Sequence, residues 1–156
     1  VVESLGDRID LVLDGGSCPA GIESTIVALR PQGWEILRPG PVTGEQLAAV
    51  LAEDAVTPPA GVAIEAPGQL ASHYAPGKPV RLAAITAEPD EFLIGFGPVA
   101  GQVSLSPCGD LAEAAARLYA CLHAAAAAPE PRVAVAPVPD DGIGAAINDR
   151  LRRAAA

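Results

Sequence analysis

Between Asp54 and Pro79 the chain carries Pro58, Pro59, Pro67, Pro76 and Pro79, interleaved with glycine and almost without apolar runs. Proline fixes its own φ and removes a backbone donor, so neither a helix interior nor a central strand passes through such a stretch. This break constrains the fold more than any other feature. It divides the 156 residues into a first part, 1–53, a linker, 54–79, and a last part, 80–156, and each flank has to be read by its own periodicity.

The first part reads as a helix tail closed by Gly6, a strand over Ile9–Leu13, a loop, a strand over Glu23–Leu29, a second over Trp34–Leu37, and a helix over Gly44–Ala52. Pro31-Gln32-Gly33 has tight-turn chemistry and predicts an antiparallel hairpin. Thr43 with Gln46 three residues on is a capping box. Three strands and one helix bury too little surface to stand alone, so further structure is expected to cover them. The loop from Asp14-Gly15-Gly16 to Gly21 is rich in glycine, which lets a backbone approach a ligand closely. Ser24 and Thr25 offer hydroxyls to a polar substrate, and Arg38 supplies a rigid cationic fork suited to phosphate or carboxylate. Together they make one wall of a small-molecule site.

After Pro79 strands and helices alternate: Val80–Ile85, Phe92–Phe96 and Val103–Leu105, then a helix capped by Asp110 and running to about Ala127, a strand Val133–Ala136, and a last helix Ile143–Arg153. Leu111, Ala114, Ala115, Leu118, Cys121 and Leu122 recur at helical spacing and form its buried face. Such alternation predicts a small, Rossmann-like α/β layer structure with a mostly parallel sheet.

The net charge of −9 and a single lysine, Lys78, argue against nucleic-acid binding by this chain alone, because phosphate contacts need clustered Lys and Arg. Cys18, Cys108 and Cys121 lack CxxC spacing and fit reduced cytosolic thiols, with Cys18 read as small filler for want of a nearby base. No protein-held metal is expected, since His73 and His123 lie far apart and form no ligand motif. No secretory leader or membrane-spanning run is evident. The chain contains no methionine, and the expectation is an excised or processed piece. Asp140-Asp141-Gly142-Ile143-Gly144 lacks the third glycine of a dinucleotide fingerprint and reads as a helix cap. Arg150, Arg152 and Arg153 read as cations complementing the helix dipole. His73-Tyr74 stands out in the linker, and from chemistry alone reads as a half-buried contact holding it to a domain surface.

Five segments in order, IDLVLDGG (9–16), GIESTIV (21–27), LRPG (37–40), PGQLASHYAP (67–76) and GIGAAINDRLRRAA (142–155), resemble the L-threonylcarbamoyladenylate synthases in their longer, two-domain form. The resemblance implies the end of a catalytic domain (1–53), a linker laid over the active site (54–79) and a C-terminal α/β domain (80–156). It implies a cytoplasmic nucleotidyltransferase that joins L-threonine, bicarbonate and ATP, the last with Mg2+, into threonylcarbamoyl-AMP and pyrophosphate for tRNA threonylcarbamoyladenosine formation. Other proteins of the pathway would make the transfer to tRNA. By the same resemblance Ser24 contacts L-threonine, and Arg38 and Tyr74 contact ATP; no catalytic residue is assigned.

Two family segments, a basic KxR and a small-polar SxN, do not occur in the chain, and Gln69 stands where relatives often carry Met. Without that positive cradle the isolated chain is expected to be inactive, because such transfers rest on electrostatics. The alternative is a non-catalytic nucleotide-binding or partner-docking regulatory module of the same pathway.

Overall fold

The computed structural model describes residues 2–16, 18–51, 55–56, 64–70 and 73–156. Ser72, most of 54–63 and the expected end of the first long helix at Ala52 lie outside the described residues.

A four-stranded, wholly parallel sheet organises the last part: β3 (Val80–Arg81), β4 (Glu91–Gly95), β5 (Val103–Ser104) and β6 (Arg132–Val135) in the order β3-β6-β4-β5. β4 is buried along its whole length, as a strand covered on both faces must be. Helix α3 (Leu111–Ala127) starts where the Asp110 carboxylate accepts from the Glu113 amide at 2.7 Å and ends before Pro129. Its buried residues are Ala114, Ala115, Leu118, Cys121, Leu122 and Ala125. The alanines let the helix press close to the sheet, while Leu118 and Leu122 each contribute about 1.5–3 kcal/mol of burial. Helix α4 (Gly144–Ala154) packs beside α3. The core gathers Phe92, Ile94, Leu105, Val133 and Val135 against these two helices, and Ala84, Leu93 and Ala134 pack on the opposite face.

In the first part β1 (Ile26–Arg30) pairs antiparallel with β2 (Gly33–Arg38) around the expected turn, with an irregularity between Ile26 and Val27. A short helix, α1 (Val2–Leu5), runs into one 3₁₀ turn (Gly6–Arg8). The capping box is complete: the Gln46 amide donates to Thr43 Oγ1 at 3.3 Å, and the Thr43 amide donates to Gln46 Oε1 at 2.9 Å. It opens α2 (Gly44–Ala48), which is shorter than expected. This part is joined to the last one. Ile22 belongs to the main core, and Gly21 lies so close to α3 that a Cβ there would fall on the backbone of Ala116.

Three expectations need correction. Ile9–Leu13 is not a strand; it pairs with nothing among the described residues, and Leu11 and Leu13 are 75% and 86% exposed. An apolar run becomes a strand only where a neighbour completes its ladder. The strand expected over Val80–Ile85 stops at Arg81, because Ala83 takes a left-handed φ of 54°. Finally, no side chain caps α4. The Asp141 carbonyl accepts from the Gly144 amide instead, and the Asp140 carboxylate accepts a hydrogen bond from Asn148 Nδ2.

Candidate functional site

The end of β2 and the segment before β1 place Arg38 against Ser24. Arg38 Nε donates to the Ser24 carbonyl at 3.0 Å and Nη2 to Ser24 Oγ at 3.3 Å, while Nη1 reaches the Pro67 carbonyl at 3.3 Å. All three acceptors are neutral oxygens. Among the described residues no carboxylate pairs with Arg38, so the guanidinium is oriented without being neutralised. Ser24 is exposed and its hydroxyl proton has no acceptor among the described residues. Thr25 differs: its hydroxyl donates to the Val42 carbonyl at 2.7 Å and accepts from the Val42 amide at 3.1 Å, so it is spent on holding the loop.

Tyr74 comes to the same neighbourhood from the proline-rich stretch. Gly68 separates it from Arg38: a Cβ on Gly68 would lie 3.0 Å from Arg38 Cδ and 3.5 Å from the Tyr74 hydroxyl oxygen, and its φ of +89° suits glycine. Tyr74 itself has a φ of 63°, which costs about 1–3 kcal/mol in a residue with a side chain and persists only where surroundings fix it. They do. Its ring meets His73 edge-on at 3.8 Å and Tyr119 at 5.2 Å, and burial, then the nearby Glu23 carboxylate, raises the pKa of its phenol. Ser24, Arg38 and Tyr74 thus share one neighbourhood, with Tyr74 against Tyr119 of α3 and the His73 amide on the Arg153 carbonyl of α4.

Glu23 is the hub that sequence reasoning missed. Its carboxylate accepts from the Tyr119 hydroxyl at 2.8 and 2.9 Å and from Arg150 Nη2 and Nε at 3.0 and 3.2 Å. Burial works against its ionisation, but its own backbone amide, Tyr74, Tyr119 and Arg150 outweigh that and bring it down to about 2. Burial, and then the charge of Glu23, push the Tyr119 phenol well above its ordinary range and keep it a donor. Arg150 is 0% exposed. Burial alone would loosen its proton, yet Glu23 and Tyr119 more than compensate. The dipole reading of this arginine is therefore wrong. Its signal was present: Ala146, Ile147, Leu151 and Ala154 form the buried stripe of α4, and Arg150 sits in that stripe. Arg153 keeps to the surface, bound to Asp149 at 3.0 Å and to the Leu70 carbonyl at 2.7 Å, and its own carbonyl accepts the His73 amide at 3.1 Å.

A pocket of about 200 Å3 lies between Tyr74–Pro76 and the α3 residues Tyr119, Leu122 and His123, but neither Ser24 nor Arg38 lines it. A shallow trough of about 380 Å3 follows Ile64–Leu70. Cys18 is exposed and Cys121 is buried. Among the described residues no group of His, Cys, Asp or Glu is placed to hold a metal ion, and no helix is long and apolar enough to cross a membrane.

Fold and site together define an α/β protein in which an arginine paired with no carboxylate among the described residues lies beside an exposed serine, tied to the helical layer by the ion pair of buried Arg150 with half-buried Glu23. Residues 42–156 match the family described as threonylcarbamoyl-AMP synthase, C-terminal domain, and residues 1–40 match the family described as telomere recombination. The chain belongs to the threonylcarbamoyl-AMP synthase family. It is 31% identical over 177 positions to the threonylcarbamoyl-AMP synthase of Bacillus subtilis (strain 168), covering 99% of this chain and 51% of that protein. It is 33% identical over 84 positions to that of Pyrococcus abyssi (strain GE5 / Orsay), covering 51% of this chain and 25% of that one. In fold it resembles the crystal structure of P. abyssi Sua5 complexed with L-threonine, with a TM-score of 0.80 at 24% identity over 99% of this chain and 52% of that one. The chain spans about half the length of the B. subtilis relative.

Proposed function

We propose that the chain contributes one wall of the active site of a cytoplasmic threonylcarbamoyl-AMP synthase, a nucleotidyltransferase of tRNA modification. Its parts would be the end of a catalytic domain (1–53), a linker over the site (54–79) and a C-terminal domain (80–156). The observation that carries this reading is Arg38, held by Ser24 and Pro67 yet matched by no anion among the described residues. A fixed, uncompensated guanidinium suits a ligand that brings its own negative charge.

In this reading the amine of L-threonine attacks the carbon of bicarbonate with loss of water, and the resulting carbamate oxygen attacks the α-phosphorus of ATP with loss of pyrophosphate. Ser24 donates its free hydroxyl to the threonine carboxylate. Arg38 takes up charge on the phosphates as the leaving group departs, the kind of preorganised stabilisation that dominates such transfers. Tyr74, packed on the ring of Tyr119, covers the nucleotide and keeps water from the carbamate. Magnesium would enter on the triphosphate and not on a protein cage. Transfer to tRNA falls to other proteins, as the chain's charge of −9 suits phosphate contacts poorly.

The test is pyrophosphate release by the intact natural protein given ATP, L-threonine and bicarbonate. Omitting L-threonine should abolish it. Ser24→Ala should raise the KM for L-threonine by about ten-fold, as loss of a hydrogen bond to a charged group does, and leave that for ATP nearly unchanged. The 156-residue chain alone should release none. Release that is indifferent to L-threonine would sink the reading.

A further inference from the structure

Arg150 reaches across the molecule to two points that flank the ligand-facing pair. Through Nε and Nη2 it holds the carboxylate of Glu23, the residue before Ser24. Through Nη1 it holds the carbonyl of Pro39, the residue after Arg38, at 2.6 Å, and meets Asp149 at 3.1 Å. We infer that Arg150 of α4 is a positioning residue: one buried guanidinium sets the spacing of Ser24 and Arg38, and through it the C-terminal layer governs L-threonine binding. The inference rests on the function proposed above.

The hairpin ladder does not do this work by itself. Its outermost pair is Ile26 with Arg38, and the register slips between Ile26 and Val27. Ser24 therefore lies beyond the ladder and next to its weakest point. Arg38 itself bonds Ser24, and the Thr25 hydroxyl ties the segment before β1 to Val42 beyond β2, but these contacts join the two segments only to each other, within the first part. Arg150 and Tyr119 are the anchors that come from outside it, and both converge on Glu23. A pair of a buried arginine with a half-buried glutamate adds little net stability over apolar packing of the same volume, and the best-attested use of such pairs is to fix one arrangement among several. Arginine is required because its planar fork addresses the carboxylate and the carbonyl at once. A lysine ammonium is a point charge and serves one of them.

The experiment compares Arg150→Lys, the isosteric Glu23→Gln and the control Arg152→Lys, whose side chain is exposed, in the intact natural protein. Backbone amide exchange and steady-state kinetics are read on each. Arg150→Lys should raise exchange around residues 24–27 and 40–42 by about ten-fold, leave the strands β4 and β6 protected, and raise the KM for L-threonine more than it lowers kcat. Glu23→Gln should act in the same direction, and the double variant should be no worse than the worse single one, since both break the same tie. Unchanged exchange at 24–27 would overturn the inference. So would exchange raised equally across the whole C-terminal layer, which marks a general loss of stability. If the wild-type protein shows no L-threonine-dependent pyrophosphate release, the proposed function falls, while the exchange pattern still decides whether Arg150 positions this wall. If Arg150→Lys does not fold, Glu23→Gln decides alone.

Discussion

At the scale of single residues, the chemistry of this chain is a matter of where charge is left over. Arg38 spends three donors on neutral oxygens and keeps its whole positive charge. Arg150 spends four of its five N–H donors on Glu23, Asp149 and Pro39, two of them carboxylates that offset its charge. The first is therefore free to meet a ligand and the second is not. In the intact natural protein, Arg38→Gln should weaken ATP binding by about ten- to a hundred-fold, the factor equivalent to ~1.5–3 kcal/mol for a charged hydrogen bond. Calorimetric titration with ATP checks this, and an unchanged dissociation constant would place the phosphates elsewhere. Gly68→Ala strikes the same place without touching a charge. It forces a side chain onto a φ of +89° and onto Arg38 Cδ at 3.0 Å, so it should cost about 1 kcal/mol or more of stability in a denaturant melt and loosen the contact between Arg38 and Pro67.

At the scale of elements, a close fit at Gly21 and Ile22 holds the first part to the last. Gly21→Ala would put a Cβ on the backbone of α3 at Ala116, in a left-handed conformation that suits glycine. It should displace the loop, draw Ile22 out of the core, and lower the melting midpoint more than a surface substitution does, an outcome that thermal denaturation reads directly. Thr43→Ala removes the side-chain arm of the capping box, the bond from the Gln46 amide to Thr43 Oγ1, and should cost about 1 kcal/mol, by the same measurement. Elements whose signal is local were legible in sequence: the capping box, the Pro31-Gln32 turn, the buried face of α3, and the alternation that gives a parallel sheet. Ser24 and Arg38 were legible as neighbours because hairpin topology alone brings their segments together. Ile9–Leu13 was misread because apolar periodicity does not say whether a partner strand exists. Glu23, Tyr119 and Arg150 were missed for a related reason. Their meaning lies in a contact between residues 127 apart in sequence, and only the out-of-place charge on the α4 stripe hinted at it.

At the scale of the whole molecule, two ionised glutamates in very different places should make stability fall in acid. Glu91 opens the central strand β4, side chain fully covered, facing Arg81 Nε at 2.9 Å and Arg132 Nη2 at 3.3 Å, with the Glu88 amide donating to it at 2.8 Å. Arg81 first, and then the Glu88 amide and Arg132, outweigh burial and hold it at about 2 against an ordinary 4.5. Glu23, at the seam between the first part and the last, also lies at about 2. A folded value below the unfolded one means that the unfolded chain takes up protons first as pH falls. The stabilisation from both groups is then complete above about pH 4.5 and lost progressively as pH drops towards about 2. The melting temperature of the wild-type chain should accordingly hold steady from neutral pH to about 5 and fall below it. Glu91→Gln and Glu23→Gln should each start lower at neutral pH, fall less steeply, and approach the wild type near pH 2, where its carboxylates are protonated too. The two variants should differ in one respect. Glu91→Gln weakens the sheet itself, so exchange should rise along β4 and β6, whereas Glu23→Gln releases the seam and leaves those strands protected. A wild-type melting temperature that stays level down to pH 2, or a Glu91→Gln curve as steep as the wild type, would show that neither carboxylate carries its charge into the fold as these contacts require.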